Sequence, residues 1–356
     1  MDLTIIKIFL PALLAFAIGI ALTPVLTHYL YKHKVWKKSG GKIALNGTAA
    51  VEFNRLKGEG ETKTPRMGGI VIWGSVLLTA ILLFSVAKLT SVQFLNDLSF
   101  VSRSQTWIPI TTLLLGALVG LLNDWYDVSR PAGEGIRLRT RLIFICILSG
   151  VIGWWFFDRL DVTGVNIPLA GHLDIGILII PFFILLSLAV YASGVIDGID
   201  GLSGGVFAAI FTSYTGIAFI QMQYDIAALS ATIVGGILAF LWFNIPPARY
   251  YMTETGTMAL TLALAVIAFM TDALGDGYGI SMLPIVAVVL VGTVASNIIQ
   301  VSYRKTTRKK FFRIAPFHHH LEAVGWPSHK VTMRYWVLSG MTGLLGVVLT
   351  ALLTLS

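Results

Sequence analysis

The sequence predicts an all-α polytopic membrane protein, and three observations carry that prediction. Only 12% of the 356 residues are charged while 56% are hydrophobic, with a mean hydropathy of +0.80. A soluble globular chain is about 25% charged, so too little polar surface is available to coat a water-soluble fold of this size. Apolar runs of about 20 residues, the length that crosses a bilayer core as helix, recur along the whole chain. The basic residues sort into alternate connections between these runs.

Ten spans are predicted, at 4–30, 68–88, 107–123, 140–157, 174–191, 203–221, 226–243, 256–272, 280–302 and 332–354. The first apolar segment, Thr4–Tyr31, is too long for a signal-peptide core and carries no small-residue cleavage site, so it reads as a retained helix. The spans at 174–191 and 203–221 are the weakest, because Gly201, Gly204 and Gly205 lie between them. Between the first two spans lie nine Lys and Arg, with four more after the third, one after the seventh and eight after the ninth. That is 22 of the 26; only Lys7, Lys88, Arg103 and Arg159 fall on the other face. This bias places the basic connections in the cytoplasm and both termini on the outer, periplasmic side. The net charge of +8 then reflects loop asymmetry rather than a nucleic-acid partner.

The outer segment DRLDVTGVNIPLAGHLD, 158–174, has period-two stretches around a glycine and predicts a short β-hairpin. No internal repeat is visible, so residues 1–356 read as one integral membrane domain. Cys146 is the only cysteine, which excludes an intrachain disulfide and a cysteine-based metal site. The basic run RKTTRKK, 304–310, reads as an anchor to anionic membrane lipids. Trp107, Trp154, Trp155 and Trp242 near span ends read as interface anchors.

Carboxylates near a bilayer are expensive and point to function. Asp124 and Asp127 close the third span in LLNDWYDV. Asp197 and Asp200 follow the fifth in SGVIDGIDGLSGG, and Glu254 precedes the eighth in YYMTETGTMAL. Each D-x-x-D pair, if helical, puts both carboxylates on one face. Five such groups at one membrane face suit metal-assisted phosphoryl transfer. There a Mg²⁺ held by one or two carboxylates clamps an anionic diphosphate. The blander alternative for each is a solvated helix end or a cap. Lys63 and Arg66 in KTPRMGG add positive charge for phosphate. His318, His319 and His320, in FFRIAPFHHHLEAVGWPSHK, cannot all point one way on a helix. One or two of them facing the site as hydrogen-bond donors is the better reading than a three-ligand metal site.

These segments resemble one known family. APFHHHLEAVGWPSHKV is similar to the hallmark loop of the phospho-N-acetylmuramoyl-pentapeptide-transferases, within the polyprenyl-phosphate N-acetylhexosamine-1-phosphate transferases. TPRMGG, DGIDGL and FNIPPARYYMTETGTMAL fall in that family's order, as does the ten-span layout. The resemblance implies transfer of phospho-N-acetylmuramoyl-pentapeptide from UDP-N-acetylmuramoyl-pentapeptide to undecaprenyl phosphate, giving lipid I and UMP. It implies a Mg²⁺ requirement, a homodimer, and a cytoplasm-facing site in the bacterial inner membrane. Carried over by position, Asp124, Asp197, Asp200, Glu254 and His318 are the catalytic set, with Asp124 and Glu254 holding Mg²⁺. Lys63, Arg66, Asn244, Tyr251, His319 and His320 bind substrate. The chain departs from the pattern at Asn123 for Asp, Asp127 for Lys, Gly194 for Asn, Thr253 for Gly and Glu61 for Lys. Lys63 and Arg66 stand where Gly and Thr are usual. The open alternatives are a transferase for another UDP-sugar such as UDP-N-acetylglucosamine, and a lipid flippase or transporter.

Overall fold

In the computed structural model of the chain, residues 2–38, 62–102, 104–130, 135–275 and 277–355 are described. Helix α1 spans Asp2–Lys32, α2 Ile70–Leu89, α3 Gln93–Asp97, α4 Trp107–Ser129 and α5 Leu138–Leu160. After a hairpin of β1, Gly164–Ile167, and β2, Gly171–Asp174, come α6 Ile179–Ala192, α7 Leu202–Ile220 and α8 Tyr224–Asn244. Then follow α9 Thr253–Met270, α10 Gly279–Val286, α11 Val288–Thr307, α12 Phe317–Ala323 and α13 Ser328–Leu355.

Among the described residues nine helices are long and apolar enough to cross a membrane, and a tenth span arises if α10 and α11 count as one. Those two meet at a 70° bend. The ninth predicted span, 280–302, is therefore broken rather than straight. Pro284 lies inside α10, three residues before the break at Ala287. The two glycine-flanked spans both form helices, α6 and α7.

The hairpin forms as expected, antiparallel, with Gly164 opposite Asp174 and Ile167 opposite Gly171. It is fastened to the connection after α9. The Asn166 amide donates to Asp272 Oδ1 at 2.8 Å, and Ser281 Oγ donates to the Asn166 carbonyl at 2.8 Å. Trp107, Trp154, Trp155 and Trp242 all lie exposed near helix ends, as anchors would.

Helix α9 is the axis of the bundle. Every residue from Thr255 to Met270 is buried, whereas α1 and α13 present long exposed apolar faces. In hydrocarbon, helices associate through close packing rather than through hydrophobic exclusion, so small residues mark their contacts. Gly120 on α4 is such a point: a Cβ there would lie 2.2 Å from the Glu254 carbonyl oxygen. This approach brings the carboxyl-terminal half of α4 against the first turn of α9. Near the other end of α9, Phe156, Phe183 and Phe269 form a three-ring cluster, with centroids 4.7–5.5 Å apart, that joins α5, α6 and α9.

Candidate active site

The contact at Gly120 decides where the carboxylates go. One turn further along α4, Asp124 is fully buried against the start of α9. Its Oδ2 accepts from Thr253 Oγ1 at 2.5 Å, from the Thr255 amide at 2.8 Å and from Thr255 Oγ1 at 2.6 Å. A helix N-terminus presents amides and a positive dipole end, so a buried anion is stabilised there. Its Oδ1 accepts from Asn123 Nδ2 at 3.3 Å and lies 3.9 Å from the Arg66 guanidinium.

Thr253 also binds a second carboxylate. Its amide donates to Asp197 Oδ2 at 2.8 Å, while Ser203 Oγ donates to Asp197 Oδ1 at 2.7 Å. Burial pushes the Asp197 carboxyl above the ordinary carboxylate range, against the pull of these two donors and of the Arg66 charge. Glu254, the next residue, is half-buried and ion-paired with Arg141 at the start of α5. Asp124 is near enough to act electrostatically on both Asp197 and Glu254. Three chain segments thus deliver three carboxylates around Thr253.

The other predicted residues divide into those beside this cluster and those that brace it. Arg66 pairs with Asp127 at 3.1 Å and so enters the site. Asp200 turns toward the loop after α8, where its Oδ2 accepts from the Ala248 amide at 3.1 Å. Asn244 joins the two loops: its Oδ1 accepts from the Gly201 amide at 2.9 Å and its Nδ2 donates to the Tyr250 carbonyl at 2.8 Å. Tyr251 exchanges backbone bonds with the TPRMGG segment, donating to the Pro65 carbonyl and accepting from the Gly68 amide, both at 2.8 Å. Lys63 is exposed in the turn ahead of that segment. Gly194 lies against Thr257. Glu61 falls outside the described residues.

Helix α12 carries the histidines. His318 and His319 are buried with ring centroids 4.5 Å apart, and both lean on the Asp197 loop at Gly198. A Cβ at Gly198 would lie 2.5 Å from His319 Nε2 and 2.9 Å from His318 Nε2, so only glycine admits both rings. His319 Nδ1 is 2.7 Å from Glu322 Oε2, whose other oxygen accepts from Ser328 Oγ at 2.5 Å. His320 is turned away: its Nδ1 accepts from the Arg313 amide at 3.2 Å and its ring stacks on Phe317. Two of the three histidines reach the site.

Sequence reasoning missed Arg141, Thr253 as a bridge, Thr255 and Gly198. Arg141 was counted only as a basic residue of its loop. The hydroxyls of TETGT, 253–257, at a helix start facing acidic spans were the available signal for the others. Among the described residues no group of three or more His, Cys, Asp or Glu is placed to hold a metal ion. Mg²⁺ does not require one. It takes one or two carboxylates and keeps waters and phosphate oxygens. Asp124 Oδ1 and Glu254 are hard oxygen donors of the kind Mg²⁺ takes.

Residues 106–272 match the family described as Glycosyl transferase family 4. The chain is 30% identical over 342 residues to the phospho-N-acetylmuramoyl-pentapeptide-transferase of Geobacillus sp. (strain WCH70), covering 95% of this chain and 96% of that one. It is 30% identical over 338 residues to the protein of the same name from Bacillus subtilis (strain 168), covering 94% and 95%. A third, from Rubrobacter xylanophilus (strain DSM 9941 / JCM 11954 / NBRC 16129 / PRD-1), is 32% identical over 293 residues, covering 80% and 82%.

Proposed function

We propose, from the premise that this chain belongs to the phospho-N-acetylmuramoyl-pentapeptide-transferase family, that it makes lipid I. An oxygen of undecaprenyl phosphate attacks the sugar-bearing phosphorus of UDP-N-acetylmuramoyl-pentapeptide. The bond from that phosphorus to the bridging oxygen breaks, and UMP leaves with the oxygen. The lipid-linked diphosphate is the other product. The observation that carries this reading is Thr253, bonded to Asp124 and Asp197 at once and followed by Glu254.

The attacking group is itself anionic: a phosphate monoester has a second pKa of about 6. It therefore needs no strong general base, and positioning with electrostatics carries the reaction. Asp124 and Glu254 would hold Mg²⁺, which supplies neutralisation of the diphosphate and of the charge on the leaving UMP. Thr253 and Thr255 hold Asp124 in place for this. Asp197 lies on the other side of Thr253, where it orients the nucleotide. Arg66 and Arg141 bring guanidinium groups to the same cluster and suit phosphate oxygens. His318 and His319 stand beside Asp197 as donors to the substrate, while Lys63 and Tyr251 border the TPRMGG segment. Asp200 and Asn244 set the loops that form the nucleotide side. The enzyme works in the bacterial inner membrane as a homodimer with this site toward the cytoplasm. The clustering of Lys and Arg in the connections that bear the site supports that orientation.

The test is donor choice. Purified protein with Mg²⁺ and undecaprenyl phosphate should release UMP from UDP-N-acetylmuramoyl-pentapeptide and not from UDP-N-acetylglucosamine. Release only from the second nucleotide would overturn the donor assignment, and release from neither would overturn the transferase reading.

A further inference from the structure

Asp127 lies one turn beyond Asp124 on α4, so the two carboxylates share a buried face of the helix. Two buried like charges at that spacing need a cation between them. It comes from another part of the chain. Arg66 places one terminal nitrogen 3.1 Å from Asp127 Oδ2 and 3.9 Å from Asp124 Oδ1. Lys37 approaches the same Asp127 oxygen at 4.0 Å. The backbone of Arg66 is pinned at the same time: its amide donates to the Val35 carbonyl at 2.8 Å, and the preceding Pro65 carbonyl accepts from Tyr251. A guanidinium has five N–H donors in a rigid fork. The Arg66 Nε is buried and meets no acceptor among the described residues.

We propose that Asp127 is a positioning residue: it holds the Arg66 guanidinium beside Asp124, with donors left to bind the diphosphate of the nucleotide. This rests on the transferase reading above for the identity of the ligand. The contact with Arg66 and Lys37 turns Asp127 toward cations already in the fold, so it acts through Arg66 rather than on substrate. The geometry that Asp127 serves is that of one guanidinium.

A double-mutant cycle tests it, read by calorimetric binding of UDP to the full-length protein with and without Mg²⁺, and by kcat and KM for UMP release. Asp127→Asn should weaken UDP binding and raise the donor KM by about tenfold, with kcat within about twofold. Arg66→Ala should cost at least as much. In the Arg66→Ala background, Asp127→Asn should cost nothing further, because the residue it positions is gone. Asp127→Glu, which keeps the charge, should bind UDP nearly as the parent does. Additive losses, or unaltered UDP binding in Asp127→Asn, would overturn the proposal. A lowered thermal midpoint with failure of Asp127→Glu to restore binding would also overturn it, as a purely structural role. UDP binding keeps the two readings separable: a parent protein that binds UDP through the pair yet releases no UMP contradicts the reaction and leaves the pair intact.

Discussion

Thr253 donates its hydroxyl to Asp124 across 129 residues of sequence while its backbone stands at φ +55°. That conformation is rare for a β-branched residue. It turns the Thr253 amide toward Asp197 and its hydroxyl toward Asp124, so one residue sets two carboxylates. Strain of this kind costs about 1–3 kcal/mol and survives where the surroundings enforce it.

Strain and hydrogen bond separate by substitution. Thr253→Ala keeps the strain and loses the hydroxyl, whereas Thr253→Gly loses both. Both should lower UMP release by about tenfold, the low end for a charge-assisted bond, because Thr255 still holds Asp124. Thermal unfolding should rank Thr253→Gly above Thr253→Ala by about 1 kcal/mol. Equal midpoints would mean that the backbone is unstrained.

Asp197 predicts a pH dependence of stability. Burial raises its carboxyl above the ordinary value of 3.8, so the folded protein binds this proton more tightly than the unfolded chain. The stability so contributed is complete below that ordinary value and is lost as pH rises through the raised one. Without divalent cations, Asp197→Asn should therefore unfold at a higher temperature than the parent at neutral pH. The advantage should vanish as the pH falls to the ordinary carboxylate range. A gap that does not change with pH would contradict it.

Gly198 separates the Asp197 loop from two imidazoles. Gly198→Ala would put a methyl 2.5 Å from His319 Nε2, a distance that forces α12 or the loop to shift. A displacement near 1 Å at reacting groups costs about a hundredfold, so UMP release should fall to that extent with secondary structure retained. Circular dichroism and the release assay together check this. Near-normal turnover would place the histidines outside the reaction.

The spans, the hairpin and the acidic positions were legible in the sequence because they rest on local period and composition. The convergence of Asp124, Asp197 and Glu254 was legible as a shared membrane face, but the residue that joins them was not. Thr253 registered only as an odd replacement for glycine, since its two bonds depend on how α4 meets α9. The Arg141 partner of Glu254 is 113 residues distant, and the 70° bend falls within one apolar run. Periodicity carries no information about such long-range pairs. His320 was indistinguishable from its neighbours until the direction of each ring on α12 was known.

The Arg141–Glu254 pair predicts two different failures. Arg141→Ala leaves Glu254 without its ion-pair partner. The loss of stability should stay below the about 3–5 kcal/mol of a fully buried pair, because the side chains remain 18% and 27% exposed. Glu254→Gln breaks the same pair and should in addition release no UMP at any Mg²⁺ concentration. Chemical unfolding and the release assay distinguish the two. An Arg141→Ala protein with parental stability and turnover would remove the pair from the account.

The proposed function needs the carboxylates gathered at Thr253 to grip a divalent cation beside the diphosphate. It is tested most directly by measuring Mn²⁺ bound to the purified protein in the presence of UDP, by paramagnetic resonance, in the parent, Asp124→Asn and Glu254→Gln. One UDP-dependent Mn²⁺ site is expected in the parent, and its loss in both variants. Retention of that site with parental affinity in either folded variant would contradict it.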